Sequence, residues 1–145
     1  MRARVLAEAK RRYGAMRQVA AALTRDEIAR TPLPTTPPES WTLIERARAS
    51  FDPTRSGDLL VLLKPRVTPI ERPAPGYVET HGSPWDYDRR VPLLFWRRDR
   101  AGFEQSLSVQ AVDIAPTLAA MIGLPLAGVD GRCLDLDPGP ADTCR

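Results

Sequence analysis

Proline is the residue that most restricts the fold of this chain, which contains 15 prolines in 145 residues. That is about twice the average usage, and each proline fixes its own φ angle and lacks a backbone N–H. Two proline-rich stretches, residues 31–38 and 65–75, therefore predict irregular surface connections rather than helices or internal strands. The regular elements must lie before, between and after these two stretches.

The segment before the first connection favours helix. Residues 2–12 lack Gly and Pro, and their Ala, Leu, Lys and Arg side chains predict an amphipathic helix that Gly14 ends. Gln18–Leu23 is apolar and short, so either a strand or a continuing helix fits it. Its alanines favour the helix, whereas a helix that ends at Gly14 makes the strand possible.

Two capping signals predict where the next helices begin. Thr24 and Glu27 form a capping-box pattern, which predicts a short helix that runs to about Arg30. Ser40 can cap a further helix over about residues 41–50.

The rest of the chain mixes apolar strands with one more helix. Leu59–Leu63 is continuously apolar and predicts a central strand covered on both faces. Residues 91–97 predict a second strand, and the alternation in residues 106–112 predicts a third, outer one. Asp113 then caps a helix over residues 114–122. Strands alternating with helices make the fold class α/β.

Charge and cysteine content narrow the classes of function. The net charge is +3, and the arginines are scattered rather than gathered in a basic stripe, so we expect no nucleic-acid partner. No apolar run reaches the length of a membrane span, and the N-terminus lacks the apolar segment of a signal peptide. Cys133 and Cys144 could form a disulfide in an oxidising compartment or stay as thiols in the cytosol, and the sequence leaves both open.

The single histidine, His81, lies in the turn-forming segment His81-Gly82-Ser83-Pro84. A loop that delivers an imidazole just before an apolar segment is a common way of building a functional site. A zinc site needs three or four protein ligands, however, and the chain has neither a second histidine nor a cysteine pair at ligand spacing. Asp86 and Asp88 could assist, or they could cap turns and pair with arginines. The residues alone therefore predict no complete metal site.

Nucleophilic catalysis has no clear motif either. Ser83, Ser56 and Thr80 are candidate hydroxyls, but the chain lacks a Gly-x-Ser-x-Gly elbow and a glycine-rich phosphate loop. Turn residues that hydrogen-bond to their own backbone are the alternative explanation. We therefore expect no catalytic residue in this chain.

Several segments, taken in order, resemble the C-terminal part of the alkaline phosphatase superfamily. The match is strongest to the bacterial zinc-dependent phosphomonoesterases that use a threonine nucleophile, a group that also resembles type I phosphodiesterases. The two specific segments are His81-Gly82-Ser83-Pro84 and Asp113-Ile114-Ala115-Pro116-Thr117-Leu118. The full set comprises residues 50–65, 80–88, 91–95 and 112–120, the last together with Gly123-Leu124-Pro125 and Asp130-Gly131.

The resemblance implies a fold and a metal. It implies that residues 1–145 are a single partial domain, the C-terminal portion of an incomplete three-layer core with a mixed sheet and flanking helices. It implies that His81 is the last ligand, in chain order, of a two-zinc site. In such enzymes one zinc activates the nucleophile and the other stabilises the leaving oxygen.

The sequence departs from the family pattern at two places. Arg90 stands where the family often has histidine, and the run Arg97-Arg98-Asp99-Arg100 stands where a Gly-Pro turn is usual. Neither change removes a metal ligand, so both bear on specificity rather than on the chemistry.

The resemblance also implies that much of the enzyme lies elsewhere. The nucleophile, the other zinc ligands and the phosphate-binding side chains of the family belong to a longer upstream region. We therefore expect a C-terminal part of a phosphomonoesterase that needs this N-terminal region to act on a phosphate ester, and that is inactive in isolation. The alternatives are a phosphodiesterase or sulfatase-like member of the superfamily, or a non-catalytic α/β interaction module. The family implies a periplasmic or secreted location.

Overall fold

A computed structural model describes residues 1–72, 74–76, 79–98 and 101–145. The chain divides into two compact units, Met1–Val91 and Pro92–Arg145. Short 3-10 turns occur at Pro38–Ser40 and Ala111–Asp113. The α-helices and strands in the described ranges are α1 (Arg2–Gly14), β1 (Val19–Thr24), α2 (Arg25–Arg30), α3 (Leu43–Ala49), β2 (Leu59–Leu63), α4 (Asp86–Arg89) and α5 (Ile114–Met121).

The first unit is built on a two-stranded antiparallel sheet. β1 pairs with β2 so that Val19 lies opposite Leu63 and Thr24 opposite Leu59, with an irregularity between Val19 and Ala21. α1 packs against β1, and α2 packs against α3. The mixture of helices and strands agrees with the predicted α/β class, while the larger three-layer core stays a prediction. The buried apolar side chains of this unit are Val19, Ala22, Ile28, Trp41, Ala47 and Leu62.

The segment Gln18–Leu23 is a strand in the structure, so the preference for helix was wrong. β1 runs from Val19 to Thr24, and α1 ends at Gly14, as predicted. Alanine favours a helix by only a few tenths of a kcal/mol over most other residues. A ladder of backbone hydrogen bonds to β2, which is distant in sequence, outweighs that local preference.

Of the two predicted helix caps, Thr24 is confirmed and Ser40 is not. The capping box before α2 is confirmed, because the Thr24 N–H donates to Glu27 Oε2 at 2.8 Å and the Glu27 N–H donates to Thr24 Oγ1 at 3.3 Å. The next helix begins at Leu43, two residues later than predicted, and Thr42 rather than Ser40 precedes it. The Thr42 N–H donates to Glu45 Oε2 at 2.7 Å. A second box that the sequence analysis overlooked therefore defines this helix start.

The predicted strands were right in one case of three. β2 forms at Leu59–Leu63, but Leu60 is 38% exposed, so it is not covered on both faces within this chain. Residues 91–97 and 106–112 form no strand, and the latter stretch ends in a 3-10 turn. An apolar run becomes a strand only where another strand completes its hydrogen bonds. Asp99 and Arg100 lie outside the described residues.

The second unit is organised around α5, on which Thr117 and Ala119 are buried. Asp113 precedes α5 as predicted, but its side chain does not cap the helix. Instead the carboxylate accepts hydrogen bonds from the N–H groups of Gln110 and Arg132, each at 2.9 Å. Asp113 therefore ties the start of the helix to the C-terminal tail, because its two oxygens face backbone donors on both sides.

The tail lies close against the backbone that precedes α5. A Cβ added at Gly131 would lie 2.0 Å from the carbonyl oxygen of Val112, so only glycine fits at this contact. Beyond it, Cys133 and Cys144 form a disulfide, which decides the alternative that the sequence left open. In the part of the chain that the structure describes, no helix combines the length and apolar character needed to cross a bilayer.

Candidate functional site

The candidate site is the His81 loop, which we define as residues 79–85. This loop lies in the first unit, immediately before the short helix α4, and the His81 side chain is exposed. An exposed imidazole is accessible to a metal ion or a substrate.

Gly82 gives the loop its shape directly after His81. Its φ angle is +99°, a conformation that residues with a side chain rarely adopt, and an added Cβ would meet no atom within 4 Å. The requirement for glycine is therefore one of backbone conformation rather than of space. This explains in physical terms why a glycine follows the histidine.

Ser83 and Asp88 close the loop onto α4. The Ser83 N–H donates to Asp88 Oδ2 at 2.5 Å. This bond is the main reason why the pKa of Asp88 lies below its ordinary value, and the charge of His81 adds a smaller effect in the same direction. Asp88 is therefore a carboxylate that holds the loop backbone, as the turn-capping alternative predicts.

Trp85 connects the end of the loop to the sheet. Its indole Nε1–H donates to the carbonyl oxygen of Leu63 at 2.9 Å, at the last residue of β2. Nearby, the Arg66 N–H donates to the Tyr87 hydroxyl at 2.9 Å. The loop is thus hydrogen-bonded to the end of β2, one of the two strands on which the first unit is built.

Asp86 lies between two arginines. Its Oδ1 is 3.2 Å from Arg46 Nη2 and 3.4 Å from Arg89 Nη1. Arg89 also lies over the Trp41 ring, 5.5 Å from its centroid, and burial lowers the pKa of its guanidinium. The pairing of acids with arginines, one of the two alternatives for Asp86, is confirmed.

These contacts bear on whether the described residues fit a zinc site. Among the described residues, no group of three or more His, Cys, Asp or Glu side chains is arranged to hold a metal ion. Asp86 faces arginines and Asp88 faces a backbone N–H, so neither extends the donor set of His81. A zinc site needs at least three protein ligands. The described residues therefore do not fit a complete zinc centre, and they offer one imidazole.

Among the candidate hydroxyls, Ser56 gives no sign of nucleophilic activation. Ser56 Oγ accepts a hydrogen bond from the Asp52 N–H at 3.0 Å, and Asp52 Oδ1 in turn accepts from the Thr54 N–H at 2.7 Å. Both are bonds within one turn, as the alternative explanation predicts. Thr80 is exposed on the His81 loop, next to the histidine.

Sequence reasoning missed Arg46, which contacts the His81 loop from α3. Its guanidinium Nη1 donates to the carbonyl oxygen of Pro84 at 2.7 Å. One signal could have found it: Arg46 lies three residues after Leu43, so it faces the same side of the helix as an apolar residue. A charged residue at such a position must find partners as it is buried.

Comparison with known proteins gives two close relatives, and no family model matches the chain. The chain is 57% identical over 145 residues to the alkaline phosphatase PhoD of Zymomonas mobilis subsp. mobilis, covering 99% of this chain and 25% of that protein. It is 59% identical over 146 residues to the alkaline phosphatase PhoK of a Sphingomonas species, covering 99% of this chain and 26% of that protein. The chain thus spans about a quarter of the length of the relatives it matches. These identities support the predicted relationship to alkaline phosphatases, over a segment that carries the His81 loop.

Proposed function

We propose that this chain is one segment of a zinc-dependent phosphomonoesterase, in which His81 supplies one ligand of a two-zinc centre. The observation that carries the proposal is the combination of an exposed imidazole with a bonded loop backbone, in a chain more than half identical to two alkaline phosphatases. A metal ligand needs this combination, because an imidazole held in place loses little entropy when it binds. The other ligands and the nucleophile lie, on this proposal, in the part of the enzyme that this chain does not span.

Exposed apolar side chains support the proposed dependence on further polypeptide. In the second unit Leu94 is 86% exposed, Trp96 is 82% exposed and Ile122 is 76% exposed. Burying such large apolar side chains against another protein surface would be favourable. The N-terminal region of the complete enzyme is the partner that we propose, and a phosphate ester is its substrate.

The disulfide between Cys133 and Cys144 supports a periplasmic or secreted location for the enzyme. Disulfides form and persist in oxidising compartments and are rare in the cytosol of most organisms. The location remains a proposal that a fractionation experiment can test.

The decisive experiment is a composite enzyme in which this chain replaces the segment that it matches in the Sphingomonas relative. His81→Ala should remove one zinc per molecule, measured by elemental analysis, and abolish most phosphatase activity. Arg90→Ala, at an exposed position just beyond α4, is the matched control and should keep both zinc ions. A composite that retains its full zinc content after His81→Ala would refute the ligand assignment.

A second experiment uses the 145-residue chain alone. We expect no hydrolysis of an aryl phosphate with or without zinc, and thermal unfolding followed by near-UV circular dichroism should be indifferent to zinc. A transition that zinc shifts strongly upward would mean that the chain holds more ligands than one imidazole. Turnover by the isolated chain would contradict the proposal outright.

A further inference from the structure

Arg46 is an almost buried cation on the helix that faces the His81 loop. Only 12% of its side chain is exposed, whereas its partner Asp86 is 47% exposed. A buried charge is tolerated only when it is paired and hydrogen-bonded, because removing it from water is costly. The contacts that compensate for this burial show what the side chain holds in place.

The guanidinium of Arg46 reaches three acceptors. Nε donates to the carbonyl oxygen of Trp41 at 2.9 Å, and Nη1 donates to the carbonyl oxygen of Pro84 at 2.7 Å. Nη2 lies 3.2 Å from Asp86 Oδ1. The first contact joins the side chain to Trp41, which lies just before α3. The other two reach Pro84 in the His81 loop and Asp86, the first residue of α4. A planar guanidinium can donate hydrogen bonds to three separate acceptors through different nitrogens. The ammonium of lysine, with one nitrogen, does this less well.

The contact with Pro84 is the one that depends most on Arg46. Asp86 has a second cation in Arg89, which is itself held by the carbonyl oxygen of Pro38 at 3.1 Å and by the ring of Trp41. Loss of Arg46 would thus leave Asp86 with a partner but would take a charged donor away from Pro84. Since Pro84 lies three residues after His81, the effect would fall on the loop rather than on α4.

We propose that Arg46 is a positioning residue that holds the His81 loop so that the imidazole is presented in one orientation. It acts on His81 through the Pro84 carbonyl and Asp86. The role in metal binding rests on the proposed function of His81, whereas the role in ordering the loop does not.

The first test measures loop order by amide hydrogen exchange in the 145-residue chain. Arg46→Met should speed the exchange of the Ser83 amide and of the Trp85 indole N–H by about 5- to 10-fold, since the loop loses a charged hydrogen bond. The Lys64 amide, which donates to the carbonyl oxygen of Gln18 at the end of the sheet, reports whether the first unit stays folded. Arg46→Lys keeps the charge and should show a smaller change.

Arg48→Met is the matched control on the same helix. Arg48 Nε donates to the carbonyl oxygen of Thr31 at 2.9 Å, and its guanidinium lies over the Phe51 ring at 5.8 Å from the centroid. The Arg48→Met variant therefore loses contacts of the same kind, none of which involves the His81 loop. If Arg48→Met and Arg46→Met change the Ser83 and Trp85 exchange equally, the inference is wrong.

The second test measures zinc affinity in the composite enzyme. Arg46→Met should weaken zinc binding by about 10- to 100-fold, as expected when an outer residue that orients a metal ligand is removed. Added zinc should restore the activity of Arg46→Met but not that of His81→Ala. Ordinary zinc affinity in Arg46→Met, together with zinc loss in His81→Ala, would overturn the positioning role. Retention of zinc by His81→Ala would instead refute the proposed function and, with it, the metal-related part of the role of Arg46.

Discussion

The hydroxyl of Thr117 joins α5 to the C-terminal tail through Leu134. Thr117 is fully buried, its Oγ1 donates to the Asp113 carbonyl oxygen at 2.6 Å, and the Leu134 N–H donates to Thr117 Oγ1 at 2.9 Å. One small hydroxyl thus links the start of α5 to the tail, and it is the acceptor of the Leu134 N–H.

Thr117→Val should therefore destabilise the second unit although it keeps the shape of the side chain. Leaving a buried donor without a partner costs about 1–3 kcal/mol, which corresponds to exchange of the Leu134 amide that is faster by roughly 5- to 150-fold. Thr117→Ser retains the hydroxyl and should remain close to the parent. An unchanged Leu134 exchange rate in Thr117→Val would show that the hydrogen bond is not made.

The disulfide between Cys133 and Cys144 should stabilise the tail mainly by restricting the unfolded chain. The two cysteines are 11 residues apart in sequence, and loop closure of this size is worth about 3 kcal/mol in the entropic account. Denaturant unfolding of the chain with and without a reducing agent measures the difference. The double variant Cys133→Ser with Cys144→Ser should match the reduced chain and should not respond to the reductant.

Acid should weaken the contact between α1 and α2 through Glu27. The Lys10 ammonium, helped by the backbone N–H of Thr24, lowers the pKa of Glu27 from 4.5 to about 2. Because the folded-state pKa is depressed, this stabilisation is present above pH 4.5 and is lost as the pH falls toward 2. Both side chains are more than a third exposed, at 37% for Lys10 and 39% for Glu27, so solvent screening limits the effect to about 1 kcal/mol.

Denaturant unfolding at pH 5 and pH 3 tests this expectation. The free energy of unfolding should differ less between the two pH values in Glu27→Gln than in the parent. Asp26→Asn, which removes a charge from the neighbouring exposed position, should keep the full difference. High salt should reduce the contribution further. If the free energy of unfolding depends on pH identically in Glu27→Gln and the parent, the stabilising role of Glu27 is wrong.

Gly82→Ala should disturb the His81 loop through the backbone alone. The φ angle of +99° costs a residue with a Cβ about 1–3 kcal/mol, and no neighbouring atom adds to this cost. We expect faster exchange of the Ser83 amide and weaker zinc binding in the composite enzyme. Gly57→Ala, at a glycine with equally open surroundings and no left-handed backbone, should change neither measurement.

Local sequence signals predicted the elements whose causes are local. The capping box of Thr24 and Glu27 and the end of α1 at Gly14 both appear where their patterns predict them. Each depends on residues within a few positions of one another, so the sequence carries the whole explanation. The loop that carries His81 was recognised for the same reason, because a Gly-Ser-Pro turn reshapes the chain beside it.

Predictions failed where the cause lies far away in the chain. Gln18–Leu23 became a strand because β2 supplies its hydrogen bonds, whereas residues 91–97 form no strand despite their apolar run. The Asp113 side chain does not cap α5, because its carboxylate accepts from the Arg132 N–H of the distant tail as well as from the Gln110 N–H. A short window of sequence does not show whether a distant segment will supply the hydrogen-bonding partner.

Short stretches of sequence are enough to explain the start of α2, the end of α1 and the glycine after the histidine, and they carry the resemblance to alkaline phosphatases. Other contacts can be seen only in the folded chain. Cys133 pairs with Cys144, Asp88 accepts from the Ser83 N–H, Asp86 pairs with Arg46, and Arg46 reaches the His81 loop. The physical reason is the range of the interaction: caps and turns are satisfied within a few residues, whereas a buried charge or thiol finds its partner only when the chain has folded.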